Sequence, residues 1–266
     1  MSNNAIHQPK GKAAEYAKWA YNFYVGCSNG CSYCCLKKGI GCKTLGGNVP
    51  TLKKCFKDEN HALEVFEKEL KANLPELRKH GLFFSFTTDP MLPVTRTLTW
   101  GAFEACYYSN VRLVILTKRT DFMDDEYIND LTDEAKKYIA FGFTLTGHDE
   151  LEPNASTNAE RIGAMKKLHD VGFKTFASIE PIIDFNSSLQ MIRQTINYCD
   201  LYKIGLESGG KYDKIFLNEF ISSIMNLCRF YSVLKIYFKD SLLKAAGIDR
   251  KDLPFNCVDS DYNLFE

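Results

Sequence analysis

Short apolar runs rich in β-branched and aromatic residues alternate along most of this chain with longer stretches in which apolar residues recur every three or four positions. The short runs, Tyr21–Val25, Leu82–Thr87, Arg112–Leu116, Ala140–Thr144, Thr175–Ile179, Tyr202–Leu206 and Lys235–Phe238, predict strands. The segments Ala62–Lys79, Trp100–Tyr108, Glu126–Tyr138, Ala159–Val171, Ser188–Cys199 and Leu217–Tyr231 predict amphipathic helices. Gly81, Asn110 and Gly172 follow helical patterns, where a residue tolerant of left-handed backbone stops a helix. Strand–helix alternation implies a parallel sheet with right-handed crossovers. Six or seven units fall short of the eight that close a barrel. The expected fold is α/β: a partial (β/α)6-type barrel, open on one side, over residues 19–240. A polar N-terminal arm, residues 1–18, precedes it. A short C-terminal extension, residues 241–266, would cap the barrel mouth or pack on a partner.

Such barrels place their sites at the carboxyl ends of the strands. Reading just past each run gives Cys27, Thr87-Thr88-Asp89, Thr117-Lys118-Arg119, Thr144 with Thr146, Glu180, Glu207 and Lys239-Asp240. Chains often turn polar where strands end, but hydroxyls, a lysine and two glutamates recurring at six strand ends make a candidate site.

Composition narrows the class. The chain has 33 Lys+Arg against 33 Asp+Glu, so no global field draws it to nucleic acid or an anionic membrane. No signal peptide or membrane-spanning apolar run is evident, and ten cysteines then read as reduced cytoplasmic thiols or metal ligands. From Cys35 to Asn60 the chain carries Lys37, Lys38, Lys43, Lys53, Lys54 and Lys57 with no acid before Asp58. This basic, glycine-rich loop is either a solvated segment or a holder of an anionic substrate.

The sharpest motif is Cys27-x3-Cys31-x2-Cys34. It supplies three thiolates and no fourth, so a four-iron cube bound there keeps one iron without a protein ligand. Structural zinc and electron-carrying clusters take four protein ligands. Zinc completed by Cys35, Cys42 or Cys55, in a non-enzymatic binding module, is the alternative. Cys106, Cys199 and Cys228 fall on helical patterns and read as buried small hydrophobes.

The triplet after a first strand, with Tyr33 before its last cysteine and β/α units following, resembles the radical S-adenosylmethionine (radical SAM) superfamily. The stretches Pro9-Lys-Gly-Lys-Ala13, Glu15-Tyr-Ala17, Ala20-Tyr-Asn22-Phe-Tyr24, Thr88-Asp89-Pro90, Leu116-Thr-Lys-Arg119, Arg161-Ile162 and Ser178-Ile-Glu-Pro-Ile-Ile-Asp184 resemble the spore photoproduct lyase-like branch. Gly205-Leu-Glu-Ser-Gly209 and Tyr237-Phe-Lys-Asp240 are similar to uncharacterised phage-type relatives of it. The resemblance implies a [4Fe–4S] cluster on Cys27, Cys31 and Cys34, with SAM chelating the open iron. Reductive cleavage of SAM would give a 5′-deoxyadenosyl radical that abstracts hydrogen from a substrate, a nucleotide or nucleic acid being one class. It also implies a flavodoxin- or ferredoxin-type reductant, and a monomer or weak dimer is expected.

The resemblance matches Thr87 and Lys118 to hydroxyl and lysine contacts of the SAM methionyl group, and Tyr33 to a backbone position near the adenine. Asp89, Thr144, Glu180 and Glu207 complete the expected SAM contacts. Glu180 and Glu207 are expected within reach of each other, on SAM or substrate, with pairing to Arg119 or Arg161 as the alternative. Arg161 reads first as a surface cation. Phe86 stands where the lyase carries the cysteine that returns hydrogen to its product, which argues against photoproduct repair. No cysteine-rich SPASM-type tail follows residue 240, which argues against a multi-cluster peptide-modifying enzyme.

Overall fold

A computed structural model describes residues 5–38, 41–231 and 234–266. Its strands are β1 (Tyr24–Val25), β2 (Thr51–Leu52), β3 (Leu82–Phe84), β4 (Leu113–Thr117), β5 (Ile139–Thr144), β6 (Lys174–Ile182), β7 (Leu201–Leu206) and β8 (Lys235–Phe238). Its helices are α1 (Cys42–Leu45), α2 (Glu59–Ala72), α3 (Leu74–His80), α4 (Arg96–Tyr108), α5 (Glu126–Asn129), α6 (Asp133–Lys136), α7 (Asn158–Asp170), α8 (Phe185–Thr195), α9 (Lys214–Phe230) and α10 (Asp240–Ala246). Strands β3 to β8 form one parallel sheet in sequential order, with β3 and β8 at its edges. The sheet is a partial barrel, as the strand–helix alternation predicts.

The period-two alternation of the strands divides the interior into two cores. One face, with Leu113, Ile115, Phe141, Phe143, Ala177, Ile179, Tyr202, Ile204 and Phe238, packs under the helices. The other face lines the barrel's lumen, where Phe83, Ala140, Phe176, Leu201 and Tyr237 meet. Gly142 is what lets Phe176 cross that lumen: a Cβ at 142 would lie 2.0 Å from the phenyl Cζ.

Two expected helices are broken. The segment read as Ala62–Lys79 divides at Asn73, because Pro75 supplies no N–H and starts α3 afresh. Glu126–Tyr138 divides into α5 and α6, with Thr132 capping α6 through the Ala135 N–H. The first strand also departs from expectation. Ala20 bridges Phe83 in parallel, but the chain then turns away, and Tyr24–Val25 pair antiparallel with Thr51–Leu52. Tyr21 and Phe23 are drawn into an aromatic cluster with Phe56, Phe66 and Phe84. Asn22 takes over the ladder's work, its Oδ1 accepting from the Phe86 and Thr87 N–H groups. The β1–β2 pair thus forms the neck of a loop, residues 26–50, that carries the cysteine triplet.

The described parts of both terminal segments are built into the barrel. The arm passes through the lumen: Lys203 Nζ donates to the Glu15 and Tyr16 carbonyls, and Lys239 Nζ to the Lys12 carbonyl. The C-terminal segment closes the amino ends of the strands, not the mouth. Leu264 packs against the lumen core, and Arg112, at the start of β4, lies over the Phe265 ring. Among the described residues no helix is long and apolar enough to cross a membrane.

Candidate active site

Cys27, Cys31 and Cys34 line one cleft together with Gly30, Gly46, Gly47, Leu36, Lys37 and Leu45. Its unfilled space is about 250 Å³ including the open mouth. Cys35, Cys42 and Cys55 are outside that lining. The loop's backbone is tightly seated: the Cys27 N–H donates to the Gly47 carbonyl at 2.9 Å. A Cβ at Gly26, whose φ is +82°, would lie 2.5 Å from the Val49 oxygen. Burial, reinforced by the Asp89 charge, pushes the Cys27 thiol up to about 11, against the pull of main-chain bonds and Lys118. Burial also raises Cys31, with Lys118 opposing. Cys27 and Cys31 would thus release protons on ligation.

The cysteine loop is docked on the segment that follows β5. Ser32 N–H donates to the Leu151 carbonyl, Asn154 N–H to the Asn29 carbonyl and Asn154 Nδ2 to the Ser28 carbonyl. Beneath them the Tyr33 hydroxyl donates to Glu152. Glu152 is in turn paired with Arg161, which also donates to the Thr144 carbonyl. Arg161 is wholly buried and Glu152 is 2% exposed, so the expectation of a surface cation is corrected. Its helical pattern hid a side chain that points under the sheet end. Burial, then Glu152, holds the Tyr33 phenol well above its ordinary pKa.

Lys118 follows β4 beside this cradle. Its Nζ lies 5.6 Å from the Tyr33 ring centroid and 3.4 Å from the Thr144 hydroxyl. Burial disfavours its charge, but Cys31 and Glu152, with a smaller contribution from Asp89, outweigh burial and raise its pKa. Three expected contacts, Tyr33, Lys118 and Thr144, therefore converge beside the cysteines.

The other expected contacts are placed differently. Thr87 Oγ1 donates to the Tyr24 carbonyl at 2.6 Å, holding the loop neck. Its neighbour Thr88 is 8% exposed, and among the described residues its hydroxyl has no hydrogen-bond partner. Asp89 is turned inward with both oxygens engaged by protein donors.

Glu180 meets Lys239 at 2.5 Å and accepts from the Tyr16 hydroxyl at 2.7 Å, inside the lumen. Gly205 leaves room for that pair, since a Cβ there would lie 2.7 Å from Lys239 Cδ and 2.9 Å from Glu180 Cδ. Glu207 sits at the mouth, 2.8 Å from Lys38 of the basic loop. Among the described residues neither glutamate pairs with arginine. Arg119 binds Asp121 and the Asn154 carbonyl instead.

Sequence reasoning missed Asn29, Glu152, Tyr16 and His148. His148 bridges the loop after β5 to the start of α8, with Nδ1 2.7 Å from Glu150 and Nε2 2.6 Å from Asp184. No metal-type spacing marks these residues, and apart from Glu150 their partners lie far along the chain. Among the described residues no three His, Cys, Asp or Glu side chains form a group suited to a single metal ion.

The donor set fits an iron–sulfur cluster with an open iron. Three thiols share a cleft whose other lining includes three glycines. Two buried polar atoms, Asn29 Oδ1 in the cysteine loop and Thr88 Oγ1 at the end of β3, are left without partners. A buried polar atom without a partner is costly, so a bound group that supplies one is stabilised there.

Comparison with known proteins agrees. The model of the radical SAM superfamily matches residues 21–215. An uncharacterized protein of Methanocaldococcus jannaschii is 28% identical over 181 residues, 63% of this chain and 61% of that protein. SuiB of Streptococcus suis bound to S-adenosylmethionine superimposes with a TM-score of 0.55 at 14% identity, over 83% of this chain and 47% of SuiB. SuiB bound to precursor peptide SuiA gives 0.52 at 14% identity, over 70% of this chain and 44% of that one. The chain thus spans less than two thirds of the curated relative and under half of SuiB, and the likeness to SuiB is one of fold. The family match covers most of the chain and includes the cleft, so this protein belongs to the radical SAM superfamily, whose enzymes use a [4Fe–4S] cluster and S-adenosylmethionine.

Proposed function

We propose that SAM binds across the ends of β3 to β6 and that the radical made from it acts on a nucleotide or nucleic-acid substrate, in the spore photoproduct lyase-like branch. The observation that supports the SAM placement is the convergence of Lys118, Tyr33 and Thr144 beside the three-cysteine cleft. Cys27, Cys31 and Cys34 would hold the cluster. When bound, the cluster and SAM supply a 5′-deoxyadenosyl radical on one-electron reduction, from a flavodoxin- or ferredoxin-type donor.

The protein's own part is to bind, orient and shield. In this reading the Lys118 ammonium meets the SAM carboxylate as a charge-assisted donor. The Thr88 hydroxyl, without a partner among the described residues, faces the methionyl group in place of the Thr87 hydroxyl, which is engaged by the Tyr24 carbonyl. Tyr33 is held rigid by Glu152 and Arg161 and covers the adenine side. Glu180 and Glu207, set at different depths, take the ribose or the substrate.

The lysines of the 37–57 segment support an anionic substrate, and Lys38 already meets an acid at the mouth. Phe86 packs against Phe83 with ring centroids 4.6 Å apart, so the position of the lyase's hydrogen-returning thiol is filled by an aromatic stack. Repair of a thymine photoproduct is accordingly not part of the proposal.

The test of substrate class is 5′-deoxyadenosine release by anaerobically reconstituted, reduced protein, with mononucleotides, single-stranded and duplex oligonucleotides, and peptides added in turn. The reading expects nucleotides or oligonucleotides to stimulate release, and Lys43→Ala/Lys53→Ala/Lys54→Ala to weaken that stimulation. Stimulation by peptides alone overturns it.

A further inference from the structure

Asp89 is 6% exposed and lies between the cysteine loop and the end of β4. Its Oδ1 accepts from the Thr117 hydroxyl at 2.6 Å and the Met91 N–H at 3.0 Å. Its Oδ2 accepts from Asn29 Nδ2 at 2.7 Å and the Lys118 N–H at 2.8 Å. Asn29 stands midway between Cys27 and Cys31. One carboxylate oxygen therefore grips the loop that would carry the cluster and the main chain of the lysine expected at SAM.

All four partners donate. Two of them are main-chain N–H groups that cannot reverse, Met91 on Oδ1 and Lys118 on Oδ2. An asparagine at 89 would turn an NH2 against donors in either orientation, so the site requires a carboxylate. A carboxylate so fully used has no capacity left for a cofactor. Its buried negative charge stands one hydrogen bond, 2.7 Å, from the side chain of Asn29, between Cys27 and Cys31 in the loop.

We propose that Asp89 is a positioning residue: it fixes the distance between the cluster-bearing loop and Lys118, and its buried charge sets how readily the cluster accepts an electron. This rests on the reading that SAM spans the cleft and Lys118. Adding an electron beside a fixed carboxylate in a low-dielectric site is opposed by Coulomb repulsion. Asp89 therefore holds the cluster's potential down, and the Asn29 bond holds the loop in register.

Two variants separate these effects. Asp89→Asn removes the charge and breaks the bonding pattern. Asn29→Ala removes the loop-side bond, together with the unpartnered Asn29 Oδ1, and leaves the charge. Both would be reconstituted anaerobically and compared at equal iron content by EPR titration with SAM and by potentiometry.

Both variants are expected to need at least about tenfold more SAM for the SAM-induced EPR change, the loss of one charge-assisted hydrogen bond in a buried site. The midpoint potential should rise in Asp89→Asn and stay near wild type in Asn29→Ala. If Asp89→Asn fails to fold, a wild-type SAM titration in fully loaded Asn29→Ala overturns the positioning role. Wild-type SAM affinity and potential in loaded Asp89→Asn overturn the whole proposal. SAM binding that falls only in step with lost iron does the same. Loaded wild-type protein whose EPR signal ignores SAM would instead overturn the underlying SAM reading, so the two failures are distinguishable.

Discussion

Replacing Arg161 with methionine removes a cation from one of the most enclosed places in the molecule. Arg161 is 0% exposed and its guanidinium serves Glu152 together with the Thr144 and Thr157 carbonyls. Methionine keeps much of the volume but leaves the Glu152 charge buried without its cation. Breaking a buried pair from one side costs about 3–5 kcal/mol. For a chain of this size each kcal/mol lowers the melting temperature by about 2–4 °C, so the expected fall is roughly 6–20 °C.

Arg161→Met/Glu152→Gln relieves the uncompensated charge and should recover at least half of that loss, a coupling visible only as a double-mutant cycle. Thermal melts of cluster-loaded protein followed by circular dichroism read both. A melting temperature for Arg161→Met within about 2 °C of wild type would refute the reasoning, given that sensitivity. So would a double variant no more stable than the single.

Three further outcomes follow from the packing and charge of the barrel. Gly142→Ala drives a methyl into the Phe176 ring and should cost about 1–3 kcal/mol or more, with Phe176→Leu restoring part of it, as urea unfolding would show. Burial, then the Lys239 charge, lowers Lys203 to about 7, so the unfolded chain binds more protons between that value and the ordinary lysine value of 10.5. Wild-type stability should therefore rise with pH across that window, and Lys203→Met should flatten the slope; equal slopes would contradict this. Burial opposes the charge on His148, but Glu150 and Asp184 prevail and raise its pKa. Despite burial, Ser187 and His148 hold Asp184 down at about 2. The raised histidine stabilises fully below its ordinary pKa and loses that as pH rises through the folded value. The lowered aspartate stabilises above its ordinary range and loses that as pH falls towards 2. The stability gap between wild type and His148→Ala should thus be widest near pH 5 to 6 and narrow at pH 8 to 9; a gap that widens with pH would contradict it.

The parallel sheet was legible because each strand is a short apolar run with helices of the right period between. The breaks at Asn73 and Thr132 were visible only as Pro75 and a capping threonine, local signals weaker than the apolar period around them. The cysteine triplet was fully legible, since its three cysteines lie within eight residues, Cys27 to Cys34. What surrounds it was not. Asp89 meets Asn29 across 60 positions, and Tyr33 meets Glu152 across 119. Periodicity reports which face of an element is apolar, not which polar side chain another strand end brings to it. Arg161 shows the same limit: a charged residue on a helix reads as solvated until its buried partner is known. The arm reads as polar because its bonds are to lumen lysines and glutamates, with partners such as Lys203 and Glu180 far along the chain.

The central claim is that Cys27, Cys31 and Cys34 hold a cluster that cleaves SAM. The most direct measurement is product analysis of anaerobically reconstituted, dithionite-reduced protein incubated with SAM. The account predicts that 5′-deoxyadenosine and methionine appear together in wild type and that neither forms with Cys27→Ala. Wild-type protein that carries its full iron and sulfide and still leaves SAM intact would contradict it.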